Sequence, residues 1–239
     1  CPGTVGLGVI ERVSRDHIEE FVERERADGC PDFRVWSLEE GRSTESLEPD
    51  LYVIKHCFPK DANAAVWGLD IGSEKVRRIA AERAVESGQP TITGKVTLVQ
   101  DGAQRAGFLY LLPVFRNGSS PTTPAERREA LVVLVYAPII LERALADVAA
   151  SVESQLDFEV FDGPNLTSET ELFDNDGHLA GEPGKVHASD YDDRMFYTRT
   201  PISIGGRVWT VVTSTMPRFE ASVTGESATL VGAGGVFLS

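Results

Sequence analysis

Residues 62–115, ANAAVWGLDIGSEKVRRIAAERAVESGQPTITGKVTLVQDGAQRAGFLYLLPVF, decide how this chain folds. An apolar run from Ala64 to Leu69 ends on Asp70. Ser73 then reads as the N-cap of a helix over 74–87, in which Val76, Ile79, Ala80, Arg83 and Ala84 share one face. Gly88 stops that helix, with Pro90 just beyond. Two strand-like segments follow, 91–99 and 107–115, joined by the polar turn 100–105, whose Asp101-Gly102 pair is a hairpin signal. A carboxylate closing an apolar strand costs free energy unless something pairs with it, so Asp70 is the residue to explain. It either initiates a turn, flanked by Gly68 and Gly72, or accepts hydrogen bonds from a ligand in a pocket lined by the two strands.

Working outward, residues 14–28 read as a helix with Ser14 as N-cap, an apolar stripe of Ile18, Phe21 and Val22, and Gly29 at its end. Residues 32–36 and 51–57 alternate as strands around the polar, acidic loop 38–50. Beyond the central stretch come an apolar run (130–137), a helix (139–156) and a strand (157–161). A tight hairpin over 171–180 turns at Asn175–Gly177, and another (195–204 with 207–216) turns at Gly205-Gly206. The pattern predicts two mixed α/β units, of the α+β kind, linked by the helix near 139–156.

The 239 residues are 41% hydrophobic and 25% charged, the profile of a globular chain. The net charge of −14 argues against nucleic acid and against an anionic membrane surface as partners. No segment is long and apolar enough to span a bilayer. The uncharged tail 227–239 reads either as a last buried or frayed segment or as the opening of a transmembrane helix. Cys-Pro-Gly-Thr at the start has none of the marks of a signal peptide. Cys1, Cys30 and Cys57 have no metal-ligand spacing; Cys30 and Cys57 either pair in an oxidising compartment or are free thiols. Asn117-Gly-Ser and Asn165-Leu-Thr fit the glycosylation acceptor pattern.

Catalytic templates fail in turn. There is no Gly-x-Ser-x-Gly elbow and no phosphate-binding Gly-x-x-x-x-Gly-Lys loop. His56 and Cys57, adjacent on a strand, point to opposite faces and form no dyad. His17, His56, His178 and His187 lack metal-site spacing. Asp174-Asn-Asp-Gly177 reads as a turn rather than a calcium loop, because Leu172 and Pro183 stand where ligands are needed. No enzyme activity, cofactor or metal is expected.

The run Asn63-x-x-x-x-Gly68-Leu69-Asp70, then Arg77-Arg78-x-Ala80-x-Glu82-Arg83-Ala84-x-x-Ser87-Gly88-x-Pro90, resembles the CHASE domain family. So do Gly94-x-Val96-x-Leu98-Val99-Gln100, Gly107-Phe-Leu-Tyr110-x-x-Pro113-Val-Phe115 and Arg127-Arg-x-Ala130-Leu-x-x-x-Val135-Tyr-Ala-Pro138. Pro2-Gly-x-x-Gly6, Glu11-Arg-Val and Pro31-Asp-Phe-Arg resemble the segment that ends the family's N-terminal helix, and the match covers residues 1–145.

The resemblance implies an α+β fold: an N-terminal helix followed by two tandem PAS-like subdomains with antiparallel sheets. Residues 1–30 would hold the end of the stalk helix, 31–138 the membrane-distal ligand-binding subdomain and 139–226 the membrane-proximal one, with a transmembrane helix starting at 227–239. It implies a periplasmic or extracellular sensor of a plasma-membrane receptor, a histidine kinase or diguanylate cyclase, homodimeric and held by flanking transmembrane helices. It further implies a small-molecule ligand, adenine-like in the related plant cytokinin receptors. By motif the ligand-binding positions fall on Asp70, Ile92, Leu111, Tyr136 and Ala137. Leu111 and Tyr136 are bulkier than the residues of the plant pocket, which keeps open an alternative: an interaction or dimerisation module with a vestigial pocket.

Overall fold

The computed structural model describes residues 2–38, 48–99, 105–152, 155–179 and 191–223. The chain divides into two compact units, one of residues 1–144 with 204–207, the other of 145–203 with 208–239. Both combine helices with sheets, so the fold is mixed α/β of the α+β kind.

In the first unit β1 (Leu7–Ser14) leads through a 3-10 turn into α1 (Ile18–Ala27). Then follow β2 (Trp36–Ser37), β3 (Asp50–Phe58), β4 (Leu69–Asp70) and α2 (Lys75–Ser87). After α2 come β5 (Thr91–Ile92), β6 (Val96–Thr97), β7 (Ala106–Phe115), α3 (Pro124–Ala130) and β8 (Leu131–Ile140). These strands form one sheet in the order β2-β4-β3-β1-β8-β7-β5, with β6 also on β7. The sheet is mixed: β2 runs parallel to β4, while β1, β3, β7 and β8 pair antiparallel.

Alternation along β3 sends its residues to two cores. Tyr52 and Ile54 join Leu69, Ile71, Leu109, Leu111, Leu134 and Tyr136 beneath the small face of α2, Ala80, Ala81, Ala84 and Val85. Leu51 and Val53 join Val13, Phe21 and Phe33 beneath α1, where the Phe21 and Phe33 rings meet edge-on at 5.6 Å. Alanines at the α2 contact let the helix lie close to the sheet, and the Ala80 carbonyl accepts from the Thr91 hydroxyl.

Several sequence expectations are corrected locally. The N-cap of α2 is Glu74, whose carboxylate accepts from the Val76 and Arg77 N–H groups. Ser73 instead donates its hydroxyl to the Asp70 carbonyl. The strand expected over 91–99 is two short pieces, because Thr93 pairs with Leu109 through both its N–H and its hydroxyl before the chain bends at Gly94-Lys95. Of 32–36 only Trp36 enters a strand. The helix expected from 139 is α4 (Leu141–Val152), since Ile139 and Ile140 still pair with β7. The 100–105 turn falls outside the described residues except Arg105, as does the 227–239 tail. Leu7–Ser14, which the pattern does not mark as a strand, runs through the middle of the sheet. Cys30 and Cys57 are free thiols, half-buried and buried.

In the second unit β9 (Leu156–Asp162), β10 (Glu171–Asp174), β11 (Tyr197–Ile204) and β12 (Arg207–Thr215) form a sheet in the order β10-β9-β12-β11. The turn at Gly177 (φ 75°) follows β10, which pairs with β9 rather than forming a hairpin of its own with the described residues beyond it. Phe161, Leu166, Tyr191 and Val212 make the core. No helix among the described residues is long and apolar enough to cross a membrane.

Candidate functional site

Asp70 sits at the end of β4, opposite Val53 of β3, and is buried. One carboxylate oxygen, Oδ1, accepts both the Tyr52 N–H (2.8 Å) and the Gly72 N–H (2.9 Å). The turn that follows is locked by Arg78. Its Nε donates to the Gly72 carbonyl at 2.7 Å, its Nη2 to the Asp50 carbonyl at 3.0 Å, and its cationic head lies over the Tyr52 ring. Gly72 is required by this closeness, since a Cβ there would stand 2.7 Å from Arg78 Nη2 and 3.0 Å from Asp70 Oδ1. Burial raises the Asp70 pKa; the two N–H donors and the Arg78 charge pull in the other direction and only partly offset it.

Leu111 and Tyr136 are cross-strand partners on β7 and β8, and both are buried in the core under α2. The Tyr136 ring also crosses β1 at Gly8, where a Cβ would come within 2.4 Å of the ring. Its hydroxyl makes no well-directed hydrogen bond; the buried Cys57 thiol interacts with it, and burial lifts both groups above their ordinary ionisation range. Ile92 is buried at the end of β5 opposite Tyr110, and Ala137 faces Tyr110 across β7 and β8. The void left among Ile54, Leu69, Ile71, Leu109, Arg77 and Tyr136 is about 10 Å3, room for one water molecule at most. Leu69 and Ile71, the chain neighbours of Asp70, line that void and are themselves buried.

An open cleft of about 600 Å3 lies elsewhere in the same unit. Asp32, Phe33, Arg34, Trp36, Lys60 and Trp67 line it, together with Cys30, Pro31 and small residues. The Lys60 ammonium stands 4.7 Å from the centre of the Trp67 ring, and Trp36 Nε1 donates to the Trp67 carbonyl at 2.9 Å. Trp67 Nε1 is buried without a hydrogen-bond partner. Gly68 makes the arrangement possible: its φ is +76°, and a Cβ there would fall 1.9 Å from the Arg34 carbonyl oxygen. The cleft thus offers two cations and one carboxylate beside two indoles, a surface for a small polar molecule with a planar or apolar body. The sequence places Phe33, Arg34 and Trp36 in an expected strand and Trp67 in the apolar run before Asp70, but no pattern links these two separated segments to one cleft.

The first unit is thus an α+β module, a mixed sheet with α1 packed on one face and α2 on the other. The chain belongs to the CHASE domain family, whose model matches residues 1–173. CHASE domains are extracytoplasmic sensor domains of signal-transduction receptors. No curated protein matches the chain.

Proposed function

We propose that this domain is the sensing module of a membrane receptor whose cytoplasmic output is a histidine kinase or diguanylate cyclase, and that it detects a small molecule in the open Trp36–Trp67 cleft. The observation that carries this reading is the contrast between the two sites: about 10 Å3 beside Leu69 and Tyr136 against about 600 Å3 bounded by Arg34, Lys60 and the two indoles. An adenine-like ligand beside Asp70 would have to displace the side chains of Leu111 and Tyr136. In this reading the chain carries tandem PAS-like subdomains, a membrane-distal one over 31–138, completed by β1 from the residues before it, and a membrane-proximal one over 139–226. Transmembrane helices flank them, with one starting at 227–239, and stalk helices pair two copies. The ligand signals by binding two arrangements of the receptor unequally.

The test is a thermal-shift screen of the purified domain with adenines, aromatic amino acids and small carboxylates. A true ligand raises Tm. The gain should vanish in Lys60→Ala, an exposed substitution, and survive in Asp70→Asn. Loss in Asp70→Asn with retention in Lys60→Ala would return the ligand to the interior. No response to any compound would favour the interaction-module reading, for which the filled interior also speaks.

A further inference from the structure

In the second unit β9 carries Asp157, Glu159 and Phe161 on one face, and all three are fully buried. Phe161 belongs there, in the core with Tyr191 and Val212. Two carboxylates in the same row do not, unless they are paired or bind a cation. β10 sets Asp174 opposite Glu159, and the Gly177 turn brings Asp176 and His178 to the same spot. His178 Nδ1 is 2.7 Å from Asp176 Oδ1, 3.4 Å from Asp157 Oδ2, 3.7 Å from Glu159 Oε1 and 3.8 Å from Asp174 Oδ1. Arg194 is the guanidinium of the cluster, 3.1 Å from Asp176 Oδ2 and 3.9 Å from Asp157 Oδ2.

The outer acids are satisfied. Asp174 accepts the N–H groups of Gly177 and Leu179, while Asp176 accepts the His178 N–H and the Arg194 guanidinium. The inner acids are not. Both oxygens of Asp157 and both of Glu159 are buried without a well-directed hydrogen bond, as are His178 Nε2, Tyr191 Oη, Arg194 Nε and Ser214 Oγ; the two carboxyls interact with each other and Glu159 with the Tyr191 hydroxyl, contacts that leave most of their acceptor capacity open. Among the described residues only Trp67 and Tyr136 share that condition elsewhere. Buried polar atoms are almost always paired, so unmet demand concentrated at one point marks a missing partner.

We propose that this cluster binds a divalent transition-metal cation, with Asp157, Glu159 and His178 as inner ligands and Asp174 and Asp176 at the rim. The donor atoms of the first three lie within 4.8 Å of one another, as do those of Asp174, Asp176 and His178. Small side-chain rotations bring such atoms to the ~2.1 Å at which imidazole and carboxylate bind these metals. Carboxylates with one imidazole and no thiol suit Mn2+ or Zn2+ better than a soft ion, and the imidazole makes Ca2+ or Mg2+ a poorer match. Contiguous loop templates miss this site because its ligands come from a strand, the end of its neighbour and a turn.

The experiment is metal analysis of the whole chain after chelator treatment, followed by titration with MnCl2, ZnSO4 and CaCl2 read by calorimetry, thermal shift and, for Mn2+, electron paramagnetic resonance. One Mn2+ or Zn2+ per chain with a raised Tm is the expected result. Glu159→Gln should weaken uptake about 100-fold or more, beyond what loss of an outer-shell partner costs. Gln keeps the size of the side chain and introduces no charge, so that variant should stay folded by circular dichroism. Asp176→Asn, at the partly exposed rim, should weaken binding by about tenfold while leaving the fold intact. Either of two results would overturn the proposal: wild type that takes up no stoichiometric ion and keeps its Tm in all three salts, or Glu159→Gln binding metal as wild type does.

Discussion

Replacing Asp70 by alanine separates its structural work from ligand recognition. The substitution removes one oxygen that accepts two buried backbone donors, Tyr52 N–H and Gly72 N–H. Each orphaned donor costs about 1–3 kcal/mol, so the expected loss for the two is about 2–6 kcal/mol. Asn at this position retains the carbonyl acceptor and drops the charge. Asp70→Asn should therefore stay within about 1 kcal/mol of wild type near neutral pH, because the lost charge–dipole attraction is offset by relief of desolvation. Urea unfolding at constant m reads both values as shifts in midpoint.

The pH dependence follows from the sign of the shift. Burial raises the Asp70 pKa in the fold, so the native state holds that proton more tightly than the unfolded chain does. The contribution of Asp70 is then fully present below the unfolded value of 3.8 and is lost as pH rises through the raised one. Wild type should lose stability relative to Asp70→Asn across that acid window and run parallel to it above. If Asp70→Ala unfolds within about 0.5 kcal/mol of wild type, the two backbone bonds carry nothing and the structural account of Asp70 is wrong.

Two further substitutions test the packing around the site. Gly8→Ala would set a Cβ 2.3 Å from the His56 carbonyl oxygen and 2.4 Å from the Tyr136 ring, so it should cost about 1–3 kcal/mol or more by chemical denaturation. Glu74→Ala removes the acceptor for two N–H groups at the start of α2 and the ion pair with the buried Arg77. The loss should be about 1–2 kcal/mol, with hydrogen exchange accelerated over the first turn of the helix.

What was legible in the sequence is what local periodicity dictates. The helices near 14–28 and 74–87, the strand after the 100–105 turn and the Gly205-Gly206 hairpin all rest on contacts within one element or between neighbours in sequence. β1 escaped because its charges hide its alternation. Glu11 pairs with Arg24 and Lys55, and Arg12 with Asp50, so side chains that read as solvent-facing lie on a central strand. Asp70 shows the same limit from the other side. Its apolar setting was visible, but its main partner outside its own turn is a backbone amide on β3, 18 residues upstream, and no side-chain pattern encodes a main-chain donor. The bulk of Leu111 and Tyr136 was visible too, yet only register shows that the two are cross-strand partners in one core. That pairing closes the interior and shifts the search for a ligand to the loops around Trp36 and Trp67. Those loops meet because Gly68 donates to Ile54 and accepts from Trp36 in a backbone conformation few other residues adopt. The open cleft is therefore set by where β3 and β4 place the segments around Trp36 and Trp67, and its lining residues need have no pattern of their own.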